Sequence, residues 1–214
     1  MEAPDARLVD EALAWAAPRA VYARVPLRRE HTALLAALTR TGGVRHGERQ
    51  EFRTPVADLP EEDPAERRLS WRPGALDDAT VALLAETGTG GPNALTSPAR
   101  AHLTAWLSSP TLTCDPASVL HVGAVDGRDV ALVVAQRAGD GWSTCTWMGL
   151  VPAARGRGLG HAVHRHALAM LRAQGATLYH GGTSAENAPM MACFARQGCV
   201  PWRRFARWRW DPAA

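Results

Sequence analysis

The hydrophobic and polar positions along this chain repeat with two periods, and each stretch follows one of them. Apolar residues three or four positions apart predict amphipathic helices over residues 5–17, 30–40, 78–85, 97–107, 161–174 and 189–197. Short alternating or β-branched apolar runs predict strands over residues 20–25, 44–52, 69–72, 119–125, 130–136, 143–151, 176–179 and 200–210. This mixture of helices and strands predicts an α/β (α+β) fold.

Proline, glycine and short polar residues mark the ends of these elements. Asp126 and Gly127 stand between two predicted strands, as in a tight hairpin turn. Pro152 ends the strand over residues 143–151, because proline has no N–H group to give to a ladder. Residues 180–187, HGGTSAEN, are rich in glycine and polar side chains, and this composition predicts a loop.

The order helix, strand, helix, glycine, arginine-bearing strand occurs near both ends of the chain. We interpret residues 1–56 as a partial copy of the C-terminal half of a complete domain that spans residues 67–214. Residues 57–66 are acidic, rich in proline and without periodicity, which is typical of a linker. The first copy has no glycine-rich loop before its helix, so we expect it to pack or to complete a sheet rather than to bind a ligand.

Composition and charge limit the class of protein. All 24 side chains counted as lysine or arginine are arginine, and a formal net charge of +3 is too small to indicate nucleic-acid binding. No apolar run approaches the ~20 residues that cross a bilayer, and the acidic N-terminus lacks a signal-peptide core. The four cysteines have no zinc-site spacing. With the arginine- and alanine-rich composition of a high-GC genome, these features predict a cytoplasmic bacterial protein without a metal.

The stretch from Trp142 to Gly160 reads as a strand, a glycine-rich loop and the start of a helix. Such a loop leaves main-chain N–H groups free at the helix N-terminus, where the helix dipole favours an anion. Gly158 and Gly160 have no Cβ atom, so a pyrophosphate group can approach the main chain closely. Arg155 and Arg157 add positive charge. The loop is neither a Rossmann fingerprint nor a P-loop, since it lacks G-x-G-x-x-G and the chain has no lysine.

This segment resembles the acetyl-CoA loop of the GNAT N-acetyltransferases. The matching residues are the strand end at Leu150, Val151 and Pro152, followed by Arg155, Gly158 and Gly160. The order of elements over residues 67–214 is also similar to that family. The resemblance implies a mixed central sheet flanked by helices, with a splay between two parallel strands in which acetyl-CoA lies as co-substrate. It implies CoA contacts at Met148, Leu150, Val151, Arg155, Gly156, Arg157, Gly158, Leu159, Gly160 and Asn187.

Asn187 also has a local interpretation, because asparagine is favoured at the N-cap of a helix, and both roles are compatible. Phe194 stands where much of the family has a tyrosine that gives a proton to the leaving thiolate. We expect its ring to line the splay and to pack against Met190 and Met191. Water, Ser184 or Tyr179 are then the alternatives for the proton donor.

The general base is expected among residues near the presumed splay, because the attacking amine must lose a proton. His180 is the first candidate, Glu186 the second, and Glu86 a further alternative. His161, His164 and His166 are interpreted as a polar helix face rather than a metal site. The tryptophan- and arginine-rich strand over residues 200–210 is interpreted as half-buried rather than as a nucleic-acid surface.

Two functions follow from the resemblance. The first is an acetyl-CoA-dependent N-acetyltransferase that moves an acetyl group to a primary amine of a small molecule or peptide. The alternative is a GNAT-like module that binds acyl-CoA without turnover, as a sensor or partner protein. The expected partners are an amine acceptor but no nucleic acid and no membrane, and the chain is expected to be a monomer or a homodimer.

Overall fold

The computed structural model describes residues 21–26, 32–40, 42–61, 68–91, 95, 97–109, 116–137 and 142–210. Its strands are β1 (Val21–Pro26), β2 (Val44–Pro55), β3 (Ser70–Pro73), β4 (Leu120–Val125), β5 (Arg128–Arg137), β6 (Trp142–Leu150), β7 (Leu178–Ser184) and β8 (Pro201–Trp210). Its α-helices are α1 (Thr32–Arg40), α2 (Asp78–Thr87), α3 (Ala99–Leu107), α4 (Pro116–Val119), α5 (Leu159–Ala173) and α6 (Ala188–Arg196). The helix predicted over residues 5–17 lies outside the described residues.

The chain forms two compact units. One contains Met1–Glu51, Ser184–Glu186 and Trp202–Ala214, and the other contains Phe52–Thr183 and Asn187–Pro201. In the first unit, β1 pairs antiparallel with β8 from Val21 opposite Trp210 to Pro26 opposite Phe205. The prediction that residues 1–56 are a partial repeat, with a linker at 57–66 and a domain at 67–214, concerns ancestry and stays a prediction.

The second unit contains a mixed sheet with the strand order β7-β6-β5-β4-β3. Strands β3 to β6 are antiparallel neighbours, and β6 and β7 are parallel. Helix α5 packs against β5 and β6, and α2 packs against β5. The core is continuous across this sheet and includes the fully buried segment from Ala131 to Ala135 of β5. These features confirm the predicted α/β fold with a mixed, helix-flanked sheet.

Local chemistry explains most of the boundaries. Asp77 caps α2 by accepting a hydrogen bond from the N–H of Thr80 at 2.8 Å. Asp126 and Gly127 form the turn between β4 and β5, both with positive φ. Among the described residues, no helix is long and apolar enough to cross a membrane.

The loop predicted over residues 180–187 is wrong in its first part, because β7 continues to Ser184. The sequence signal for a loop was the glycine pair at 181 and 182. Gly181 is glycine for a packing reason, since a Cβ atom there would overlap the hydroxyl of Tyr179 and lie 2.6 Å from Cε1 of Phe194. The glycine therefore permits two rings to pack on the strand, and it does not end the strand.

Candidate functional site

Strands β6 and β7 separate shortly after they begin to pair. Their register contains only Trp142 opposite Leu178 and Ser143 opposite Tyr179, although the strands continue to Leu150 and Ser184. The hydroxyl of Ser143 donates to the carbonyl of Leu178 at 2.7 Å and reinforces the paired end. The predicted splay between two parallel strands is therefore confirmed. We call the space beyond this pairing the β6/β7 gap.

The main chain of β6 presents hydrogen-bonding groups to this gap. The N–H of Val151 donates to the carbonyl of Val130 at 2.9 Å, and Leu132 stands opposite Gly149. Because main-chain groups of successive residues point to opposite sides of an antiparallel strand, those of Met148 and Leu150 point away from β5. These main-chain groups therefore face the β6/β7 gap. A ligand with amide groups can pair with this edge.

The loop after β6 leads directly to the N-terminus of α5. Gly156 and Gly158 have φ values of +72° and +73°, which a residue with a side chain adopts only at a cost. Gly158 is the N-cap residue of α5, and no side chain caps the helix. The first N–H groups of a 15-residue helix are therefore left for water or an anion.

Gly160 is needed for helix packing rather than for backbone conformation. A Cβ atom at this position would lie 3.3 Å from Sγ of Cys193 on α6, so the absence of a side chain allows the two helices to approach. Leu159 beside it is buried in the core. The predicted phosphate contacts of these two residues involve only their main-chain N–H groups and stay a prediction.

The arginines of the loop have distinct positions. Arg155 donates through Nε to the carbonyl of Leu150 at 3.0 Å, and through Nη2 to the carbonyl of Thr87 at 3.0 Å. It thereby fixes the end of β6 to the end of α2. Arg157 is exposed, and its carbonyl accepts a hydrogen bond of 3.0 Å from Arg68. Nothing in the sequence marks Arg68 as part of this site except its place just before β3.

Asn187 is the N-cap residue of α6, which confirms its local interpretation. Its Oδ1 accepts a hydrogen bond from the N–H of Met190 at 3.3 Å, and its Nδ2 donates to Oγ1 of Thr183 at 3.1 Å. The amide is therefore held between the end of β7 and the start of α6. A contact between Asn187 and CoA stays a prediction.

Phe194 lies in the core, where it has a ring partner that the sequence did not indicate. Its ring is only 1% exposed and stacks on Phe52 with centroids 4.0 Å apart and an interplanar angle of 9°. The rings of His164 and Tyr179 lie 5.0 and 6.3 Å from it. Met190 and Met191 pack against the same core, as expected. The Cε1 atom of the ring lies over Gly181, on the part of β7 that has separated from β6, and the expectation that the ring lines the splay stays a prediction. Phe52 is far away in sequence, so helical periodicity could not identify it as the partner.

The first candidate base, His180, lies within β7 rather than in the loop predicted for it. Side chains alternate along a strand, so His180 faces opposite to Tyr179. Its ring centroid is 5.4 Å from that of Trp142, which is 39% exposed. Glu186 is exposed and follows β7, with its N–H 3.4 Å from Oγ of Ser184. Glu86 is exposed near the end of α2.

The three histidines of α5 do not form the polar face predicted for them. His164 and His166 are buried, and they contact different neighbours. The Nε2 of His166 is 2.9 Å from Nδ1 of His121, while Nε2 of His164 is 3.1 Å from the hydroxyl of Tyr179. Within the described part of the chain, no three metal-ligating side chains come together.

Comparisons with known proteins agree with this geometry. A family model described as the acetyltransferase (GNAT) family matches residues 78–199, more than half of the chain. No curated protein sequence matches the chain.

Several solved structures share the fold. A GCN5-related N-acetyltransferase from Sphaerobacter thermophilus is 19% identical, with a TM-score of 0.66, and the match covers 90% of this chain and 60% of that one. One from Kribbella flavida is 20% identical, with a TM-score of 0.65 over 98% and 77% of the two chains. A tandem GNAT protein from the clavulanic acid biosynthesis pathway is 14% identical, with a TM-score of 0.62 over 97% and 70%.

The chain thus spans less than two thirds of the length of the Sphaerobacter protein, and at these identities the likeness concerns the fold. The family model adds sequence evidence over the segment that contains the β6/β7 gap, the glycine loop and α6. The chain belongs to the GNAT family of acetyltransferases.

Proposed function

We propose that this protein is an acetyl-CoA-dependent N-acetyltransferase that acts on a primary amine of a small molecule or peptide. The observation that carries the proposal is the continuity between the open edge of β6 and the uncapped N-terminus of α5. A ligand with amide groups at one end and a pyrophosphate at the other fits this path. Bound acetyl-CoA supplies a thioester, whose carbonyl carbon accepts the amine nitrogen.

The residues of the chain have separate tasks in this proposal. Main-chain groups of Met148 and Leu150 hold the amides of the pantetheine arm. The N–H groups at Leu159 and Gly160 hold the pyrophosphate, and the exposed Arg157 adds charge. Holding two reactants in one orientation accounts for much of the rate enhancement in such a reaction.

His180 is the proposed base, and Glu186 is the alternative. An imidazole can accept the proton that the attacking amine must lose. The aromatic face of Trp142 beside His180 offers a favourable site for a cationic acceptor. We place the reaction in the cytoplasm, consistent with the free thiols of Cys145, Cys193 and Cys199.

We also propose that residues 1–56 are a partial GNAT repeat. The match to a tandem GNAT protein over 97% of this chain supports this proposal. The proposed assembly is a monomer or a homodimer, with the amine acceptor as the partner.

Substitution of Gly158 by glutamate tests the CoA site. We expect Gly158→Glu to lower CoA affinity at least about 100-fold in a calorimetric titration, because it adds bulk and negative charge where phosphate approaches. Gly127→Glu is the matched control, since Gly127 also has positive φ (+76° against +73°) but lies in the β4–β5 turn. Both variants should lose about 1 kcal/mol of stability from backbone strain. Equal CoA affinity in the two variants would refute the loop assignment.

Release of free thiol from acetyl-CoA across a panel of amines then tests catalysis. Acetylated product with any amine supports the transferase. Tight CoA binding without product from any amine would instead favour the alternative of a module that binds acyl-CoA without turnover.

A further inference from the structure

A buried polar pair lies at the inner end of the β6/β7 gap. Tyr179 is the last residue of β7 that pairs with β6, and its side chain is 0% exposed. Its hydroxyl is 3.1 Å from Nε2 of His164 on α5. The hydroxyl oxygen lies directly over Gly181, because a Cβ atom there would overlap it. The side chain thus extends along β7 from the last paired residue toward the part where the strands have separated.

A thiol lies on the opposite strand, at Cys145. Burial raises the pKa of the Cys145 thiol to about 12, and a hydrogen bond from Tyr179 opposes this rise. Cys145 is on β6 beside the bulge at residue 146 that interrupts pairing with β5. Cys145 and Tyr179 thus lie on the two strands that border the start of the gap. At neutral pH Cys145 remains a thiol, so it is no nucleophile for the acetyl group.

Packing alone does not require a polar pair at this place. The ring beside the pair is that of Phe194, which stacks on Phe52, and neither phenylalanine has a polar side-chain atom. Burying a hydroxyl and an imidazole costs free energy that only their hydrogen bonds offset, whereas apolar side chains of similar volume incur no such cost. Burial also lowers the pKa of His164 to about 4, so the ring is neutral at pH 7. A neutral imidazole fixes the position of the hydroxyl without introducing a buried charge.

We propose that the Tyr179 hydroxyl donates a hydrogen bond to the sulfur atom of acyl-CoA in the β6/β7 gap, and that His164 is the positioning residue for this hydroxyl. The inference rests on the proposed function, and it concerns the sulfur end of the same ligand. The acceptor of the proposed hydrogen bond is the sulfur atom of the ligand. In these surroundings of low dielectric constant the hydrogen bond is stronger than it would be in water.

The hydrogen bond matters when the carbon–sulfur bond breaks. The amine nitrogen forms a bond to the carbonyl carbon, and the electron pair of the carbon–sulfur bond goes to sulfur. The base takes the proton that nitrogen loses, and one proton returns through solvent to sulfur to give the free thiol. Tyr179 stabilises the negative charge on sulfur during this step and ends unchanged.

The chain has two tyrosines, which permits a direct spectroscopic test. In protein labelled with ¹³C at the tyrosine Cζ, the substitution Tyr22→Phe leaves Tyr179 as the only reporter. We expect saturating CoA to shift the Tyr179 signal, and saturating desulfo-CoA, which lacks the sulfur, to leave it near its free position. Equal shifts with both ligands, or no shift with either, would overturn the proposal.

Calorimetry tests the same contact by comparing the affinities of the protein for CoA and for desulfo-CoA. Wild-type protein and the Tyr22→Phe control should prefer CoA over desulfo-CoA, and Tyr179→Phe should reduce this preference about 3–10-fold. His164→Phe should reduce this preference as well, while both ligands still bind.

The kcat of acetyl transfer should fall about 100-fold in Tyr179→Phe, with the KM for acetyl-CoA within about twofold of wild type. An unchanged preference in Tyr179→Phe would overturn the inference alone, whereas failure of wild-type protein to bind either ligand would overturn the proposed function with it.

Discussion

His164 is a titratable side chain in apolar surroundings, and its burial couples folding to pH. The ring is 1% exposed and contacts Tyr179 and Phe194. Burial lowers its pKa from 6.5 to about 4. In the unfolded chain the ring binds a proton near pH 6.5, whereas in the folded protein it binds one only near pH 4. The contribution of the neutral His164 ring to the free energy of unfolding is therefore complete above pH 6.5, and it is lost as the pH falls through about 4.

We expect His164→Gln to remove this part of the acid sensitivity. A shift from 6.5 to about 4 corresponds to about 3 kcal/mol between pH 7.5 and pH 3.5. Urea unfolding of both proteins across this range measures the difference. His121 and His161 also have pKa values lowered by burial, but they are present in both proteins and cancel in the comparison. Parallel pH profiles for wild type and variant would contradict the assignment.

The residues of the site differ in how far the sequence identifies them. Gly158 and Asn187 stand in local patterns, and the structure gives each the local geometry that its pattern implies. Tyr179 and His164 are 15 residues apart on different elements, so no local pattern pairs them. Their contact depends on how α5 packs on the sheet, which is a tertiary property.

At the scale of elements, α6 depends on one amide for its first turn. Asn187 caps the helix through Oδ1 and holds Thr183 through Nδ2. The cap and the proposed CoA contact can be separated, because a serine hydroxyl also caps helices but does not extend as far as an amide.

We expect Asn187→Ala to lose about 1 kcal/mol of stability and Asn187→Ser to lose less than half of that. Both should weaken CoA binding, by about tenfold if one hydrogen bond to the ligand is lost. Thermal melting and calorimetric titration of the two variants separate the roles. Wild-type CoA affinity in Asn187→Ser would leave Asn187 with a structural role only.

Glycine was the least reliable sequence signal for the ends of elements. The pair at 181 and 182 predicted a loop, and the structure has a strand there because Gly181 makes room for Tyr179 and Phe194. At Gly156 and Gly158 the same residue type does mark a loop, since both have positive φ. The sequence alone does not distinguish glycine needed for backbone conformation from glycine needed for space.

At the scale of the whole molecule, the order of elements followed from hydrophobic periodicity, whereas the division into compact units did not. Strand β2 begins in one unit at Val44 and ends in the other at Pro55. The exposure of its residues changes along its length, from 64% at Val44 to 2% at Phe52. Periodicity predicts that a strand exists, but the core to which each part of the strand belongs depends on distant contacts.

Two substitutions in β2 should therefore have very different effects. Phe52→Ala removes the ring that stacks on Phe194, so we expect a loss of about 3–5 kcal/mol. Val44→Ala in the exposed part should change stability by less than about 0.5 kcal/mol. Chemical denaturation of the two full-length variants measures both values, and similar losses would refute the assignment of Phe52 to the core of the second unit.

The early separation of β6 from β7 has a consequence for how the ligand and the sheet stabilise each other. The amides of Met148 and Leu150 point away from β5 into the gap, so in the free protein they should exchange with deuterium quickly for a strand in the middle of a sheet. A pantetheine arm lying in the gap would act as an additional strand and close the ladder. Exchange at these two amides should then slow sharply on addition of CoA, while Gly149 between them, already directed toward β5, should change little. Alternating protection along a single strand would mark the ligand as part of the sheet.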